Sequence, residues 1–266
     1  MKMNRIPMVC AALLAATCSA QGAITCTTAD YKGTFAFLTI GGFLHLPPQA
    51  AILQGTFAQA GTFTSDGFGN MVITSTAAYN GNVLPANDPA TYVMSPDCTM
   101  RIDLTLPLPL AVDATFYSVL SAANRENIVM VTNPPGTVVA GRHAKLDLKF
   151  CSVGDFTGSY AIDWSGTVTP AAKGVSPGQF QRVGRIESDG NGKFTAKSVG
   201  NYDGNSLPED FAGTYNVNAG CALSLTYNYK GVDYSVVGSL GGHGDIAMVM
   251  VATNGWSVSG TLRAQQ

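Results

Sequence analysis

The residues able to do chemistry in this chain are two Asp-Gly turns, three histidines, a few isolated acids and the cysteines. The turns read Asp66-Gly67-Phe68-Gly69-Asn70 and Asp189-Gly190-Asn191-Gly192-Lys193. A calcium loop also opens on Asp and Gly, but it needs several further oxygen ligands and a closing Glu. Lys193 stands where such an acid would help. Asp followed by a glycine free to take positive φ is what a tight hairpin uses, so both stretches are read as turns. No metal and no cofactor is assigned.

The histidines are His45, His143 and His243. His243 lies in Gly-Gly-His-Gly-Asp, where Asp245 could orient an imidazole for base catalysis, although a solvent turn explains the same residues. Glu187 and Glu126 are candidate inward acids, and strand register alone leaves their face open. No Gly-x-Ser-x-Gly elbow is present. No catalytic residue is assigned.

The cysteines are more informative. Residues 1–20 read as a signal peptide: Lys2 and Arg5, an apolar core from Pro7 to Ala16, then small residues before Ala20. Cleavage after Ala23 and a lipoprotein site at Cys18 are the alternatives. Without the leader four cysteines remain, Cys26, Cys98, Cys151 and Cys221. An exported chain with an even count points to disulfides, although buried free thiols would fit the same residues. Four cysteines allow three pairings. The internal repeat described next favours Cys26–Cys98 and Cys151–Cys221, each worth roughly 3–4 kcal/mol by loop closure.

The elements that hold these residues come in two copies. Gly61 to Cys98 and Gly184 to Cys221 share the Asp-Gly-x-Gly turn, a Tyr-x-Gly-Asn turn, Leu-Pro and a late Tyr at a constant separation of 123. The separation drifts from 125 before this stretch to 119 after it, as changes in hairpin length would produce. The units are placed at 24–147 and 148–266.

Period-two alternation marks the strands. Met100, Ile102, Leu104 and Leu106 alternate with polar residues, as do Leu223, Leu225, Tyr227 and Tyr229. Eight short strands per unit are expected, with Tyr31–Thr39 first and Ala90–Met94 fourth. Ile40–Leu53 and Trp164–Gly178, with their glycines and prolines, are read as long first connections. The predicted class is all-β: two tandem antiparallel up-and-down barrels, with β-sandwiches as the alternative. The chain lacks a flexible linker between Lys145 and Cys151, so the units are expected to touch.

An early Cys, Lys32-Gly33-Thr34-Phe35, Asp66-Gly67-Phe68-Gly69-Asn70, Gly213-Thr214-Tyr215-x-Val217-x-x-x-Cys221 and Val258-x-Gly260 together resemble a group of uncharacterised secreted bacterial proteins. These are placed with the allene oxide cyclase barrel-like and calycin-like β-barrels. The resemblance implies an eight-stranded barrel and carries no catalytic residue onto this chain.

Composition narrows the function. Without Lys2 and Arg5 the chain has 13 basic and 17 acidic residues, a net charge of −4, with no basic patch for nucleic acid. No later apolar run has the length of a transmembrane helix. The expected function is non-enzymatic binding of a small apolar ligand or a surface partner by an exported or envelope protein. The first connections would be lids, or else plugs or padding between the units. An isomerase or cyclase with an inward Glu or His, and a structural or adhesive envelope protein, are the alternatives.

Overall fold

The structure is a computed structural model that describes residues 25–46, 48–105, 112–121, 127–133 and 135–265. The predicted leader, Leu106, Pro107, Pro109, Glu126 and Pro134 lie outside the described residues. The first barrel is built from β1 (Gly33–Phe43), β2 (Gly55–Ser65), β3 (Asn70–Tyr79), β4 (Asn82–Met94), β5 (Thr99–Thr105), β6 (Asp113–Val119), β7 (Asn127–Asn133) and β8 (Thr137–Lys145). The second contains β9 (Thr157–Val168), β10 (Gly178–Asp189), β11 (Lys193–Tyr202), β12 (Asn205–Val217), β13 (Ala222–Tyr229), β14 (Val232–Gly241), β15 (Ile246–Val251) and β16 (Trp256–Ala264). Each set pairs in chain order, antiparallel, and closes first strand on last. The predicted tandem barrels are therefore the fold, and closure gives every strand two neighbours over at least part of its length.

Three expected boundaries are wrong for physical reasons. The first strand of each unit runs on through Phe43 and Val168, into what reads as a connection. Gly41 and Gly166 are not breakers there. A Cβ on Gly41 would sit 1.9 Å from the Val138 carbonyl, and one on Gly166 would sit 2.2 Å from that of Ser257. These glycines let the closing strand press against the first one. The fourth strand begins at Asn82, not Ala90, although it contains Pro85 and Pro89. Among the described residues its pairing to β5 starts only at Ala90, so both prolines lie where β4 has a single described neighbour, which is where a strand tolerates them.

The disulfides join Cys26 to Cys98 and Cys151 to Cys221. Each anchors a short 3-10 turn, Thr28–Tyr31 or Val153–Asp155, that seals one end of its barrel. Thr27 with Asp30, and Ser152 with Asp155, cap these turns reciprocally. The plugs are the buried rings of Tyr31 and Phe156, whose carbonyls accept hydrogen bonds from the Ser65 and Ser188 hydroxyls.

The two barrels pack side by side. Outward residues of the first barrel are mostly small where they meet the second: Ala36, Ala60, Ala78 and Ala144, with Leu38, lie against Ile246, Met248 and Met250. This contact explains why β15, Ile-Ala-Met-Val-Met-Val, shows no alternation. Ala247, Val249 and Val251 join the lumen core while the other three residues fill the interface. The connection is strapped down as well. Gly242 N donates to Lys145 O at 2.8 Å and Asp147 N to Gly242 O at 2.9 Å. The β3–β4 turn adds Gly81 N to Ser257 Oγ at 3.0 Å and receives Gly255 N on Gly81 O at 2.9 Å. Among the described residues no helix is long and apolar enough to cross a membrane.

Candidate functional site

The hairpin turns do what turn chemistry requires. Asp66 Oδ1 accepts from Phe68 N at 2.6 Å and Asn70 N at 3.1 Å; Asp189 Oδ1 accepts from Asn191 N at 2.7 Å and Lys193 N at 2.9 Å. Asn70 and the Phe68 amide hold the Asp66 carboxyl below its ordinary range, as the Lys193 and Asn191 amides do for Asp189. Gly67, Gly69, Gly190 and Gly192 all take positive φ. No metal-ligating cluster occurs among the described residues.

The other sequence candidates are dispersed. His45 is exposed. His243 is exposed in its turn, 3.8 Å from Asp147 Oδ2. Glu187 lies on the outer face, paired with Arg185 at 2.8 Å and accepting from Ser159 Oγ at 2.6 Å. The exception is His143. Its ring is buried inside the first barrel, where Nε2 shares a 3.1 Å hydrogen bond with the Tyr31 hydroxyl. Burial pulls its pKa down to about 3, so the imidazole is neutral.

The two lumens differ sharply although their frames match. The second is occupied by its own side chains. Trp164, Trp256 and Phe180 are almost fully buried around Arg182, whose guanidinium carbon lies 5.4 Å from the Trp164 and Phe180 ring centres and 5.2 Å from that of Phe211. Arg182 is ion-paired to Glu209 and donates to Tyr227 Oη at 3.0 Å, while Tyr202 Oη donates to Glu209 Oε1 at 2.7 Å. Burial opposes the Arg182 charge, but Tyr227, Glu209 and Tyr202 outweigh it, so the cation persists. A cleft at this barrel's mouth, beside Gly174–Ser176, reaches Glu209 and Tyr202. The lumen below it is filled. Arg182 Nε and both indole N–H groups find no acceptor there among the described residues.

In the first barrel the equivalent positions, fixed by strand register, carry smaller residues. Thr39 pairs with Gln59 and Gly141 as Trp164 pairs with Arg182 and Gly260. Thr137 likewise stands for Trp256, Leu104 for Tyr227 and Ala114 for Tyr234. Side chains this much smaller, in an equal frame, leave space. The result is a cavity with about 80 Å³ of room for the centre of a water-sized sphere. Its walls are mainly aromatic and aliphatic, including Phe37, Phe57, Phe63, Ile102 and Phe116. The connection after β1 closes it. Leu53, at the end of the 3-10 turn Pro48–Leu53, packs with Phe43, Phe57 and Tyr79 across the mouth. In this copy the first connection is therefore a cover. In the second copy it begins as padding between barrels, where Thr169 meets the β3–β4 turn at Gly81.

Few polar groups enter the cavity. Gln59 is held from both sides, accepting from Thr39 Oγ1 at 3.3 Å and donating to Ser75 Oγ at 2.8 Å. Asp88 is different: it is 6% exposed, lines the cavity and has no hydrogen-bond or charge partner among the described residues. Loss of solvent pushes its carboxyl above the ordinary range. Burial, with Asp88 nearby, pushes Tyr79 up to about 12.

Sequence reading missed Asp88, Arg182 and Glu209. Asp88 has the same parity as Ala90, Tyr92 and Met94, so a fourth strand begun at Asn82 would have turned it inward. Comparison of the two copies residue by residue would have exposed Arg182 against Gln59 and Trp164 against Thr39. No protein-family model matches the chain, and no curated protein matches it significantly.

Proposed function

We propose that this is an exported binding protein whose first barrel takes one small, mainly apolar ligand and whose second barrel is a filled scaffold. The observation that carries this reading is the difference between two barrels of one frame: the second is filled by its own side chains apart from a cleft at its mouth, and the first holds a mainly apolar cavity beneath a cover. Concave, mostly apolar sites with few polar groups are where small molecules bind. Taken as a sphere and widened by the 1.4 Å radius of water, the void is roughly 280 Å³, room for a ligand of about ten non-hydrogen atoms at interior packing density. The paired disulfides and the predicted leader support an oxidising, extracytoplasmic setting.

Propylbenzene is a suitable probe. It should raise the thermal midpoint of the protein in a concentration-dependent way, as binding to the native state alone requires. Thr39→Trp installs the second barrel's filler beside Gly141, where a Cβ would already touch Thr39, and should abolish the shift. An equal shift in that variant, or none in the parent, would refute the reading.

A second reading is an isomerase acting on an apolar substrate. It draws support from His143 and Asp88 lining the same cavity. Conversion of an apolar substrate that persists in the His143→Leu/Asp88→Asn double variant would count against it.

A further inference from the structure

The second barrel shows what its own lumen was built to hold: a cation. The Arg182 guanidinium lies within 5.4 Å of three aromatic ring centres and against the Glu209 carboxylate. Strand register maps this arrangement onto the first barrel. Phe180 becomes Phe57 and Tyr202 becomes Tyr79, so part of the aromatic wall is kept. Arg182 becomes Gln59, so the cation is gone. Glu209 becomes Ala86, and an acid reappears two residues along the same inward face, where Asp88 replaces Phe211. The first barrel therefore keeps aromatic rings and a buried carboxylate but has lost the positive group that would sit between them.

Asp88 is 6% exposed as a residue, and among the described residues nothing donates to its carboxylate, so a donor brought in by a ligand would stabilise it. The adjoining void is large enough to admit that donor from outside. Gln59 cannot serve, because both ends of its amide are engaged by Thr39 and Ser75.

We propose that the ligand of the first barrel is a small organic cation, a primary amine on an apolar body, with its ammonium against Asp88 and its body against Phe57 and Phe43. The inference rests on the binding reading above and adds the chemical class. Attraction between an ammonium and aromatic faces adds to the charge-assisted hydrogen bond, and both are stronger away from water.

The test compares 2-phenylethylamine with propylbenzene, its neutral counterpart of equal size, by titration calorimetry at neutral pH. The parent protein should prefer the amine by about tenfold or more, the scale of one charge-assisted hydrogen bond. Asp88→Asn, nearly isosteric, should erase that preference while retaining propylbenzene binding. Retention of the native fold in this variant is checked by its far-ultraviolet dichroism. Equal affinity for the two probes, or an amine preference that survives Asp88→Asn, would overturn the cation assignment and leave the apolar-ligand reading standing. Binding of neither probe would overturn both.

Discussion

His143 should make the first barrel acid-labile, and His143→Leu should reverse this. Leu is the residue the second barrel uses at the matching position, Leu262, opposite Ile162 as His143 is opposite Phe37. The folded-state pKa is about 3 against an ordinary 6.5. A base whose folded pKa is depressed contributes fully above its unfolded pKa and loses that contribution as pH falls toward the folded value. The window is therefore pH 6.5 to about 3, and the full loss is about 5 kcal/mol at 1.36 kcal/mol per unit. At pH 4 roughly 3 kcal/mol of it is already gone by the same linkage. Replacement by Leu strands the buried Tyr31 hydroxyl, at a cost of about 1–3 kcal/mol that is independent of pH in this range. The variant should thus be the less stable protein at pH 7 and the more stable one at pH 4, with a crossover between about pH 6 and 4. Urea denaturation at half-unit pH intervals, disulfides intact, measures this directly. Parallel curves for parent and variant would refute the buried, neutral imidazole.

Three further outcomes follow from the lumens and the staples. Glu209→Ala should cost about 3–5 kcal/mol by leaving the Arg182 charge buried and unpaired, whereas Arg182→Gln/Glu209→Ala, which copies Gln59 and Ala86, should cost less; a double-mutant cycle in guanidinium chloride reads the coupling, and additive losses would deny it. Asp88→Asn should stabilise the ligand-free protein modestly at neutral pH. Because the folded carboxyl is raised, the parent's deficit appears only as pH climbs through that raised value, so the gain should vanish below about pH 4. Removing the Cys151–Cys221 bridge, which spans 70 residues, should cost about 4 kcal/mol by loop-closure entropy; peptide mapping and denaturation of the Cys151→Ala/Cys221→Ala variant test it.

What could be read without coordinates was whatever local chemistry decides. An Asp that bonds two following amides needs only its neighbours, so both Asp-Gly-x-Gly turns were legible as hairpins. Alternation along Met100–Leu104 and Leu223–Tyr229 is a property of each strand alone. The repeat then set the unit count and favoured Cys26–Cys98 and Cys151–Cys221, because a copied unit carries its own cross-link. Glycine and proline misled where closure overrides local preference: Gly41 and Gly166 serve a tight approach of strands, and Pro85 and Pro89 sit where β4 has one neighbour among the described residues.

The contents of the lumens were decided only by the tertiary structure. Whether a side chain faces inward depends on register across a closed sheet, and whether inward residues fill the space depends on the sum of eight strands. Thr39, Gln59, Asp88 and Thr137 are unremarkable singly and far apart in sequence. Closure brings all four strands round one axis, where Trp164, Arg182, Phe211 and Trp256 fill the second barrel and their smaller counterparts leave the first one hollow. The sequence by itself determined that there are two barrels. Packing, which no single strand encodes, decided that the first holds an apolar cavity beneath its cover while the second keeps only a cleft at its mouth.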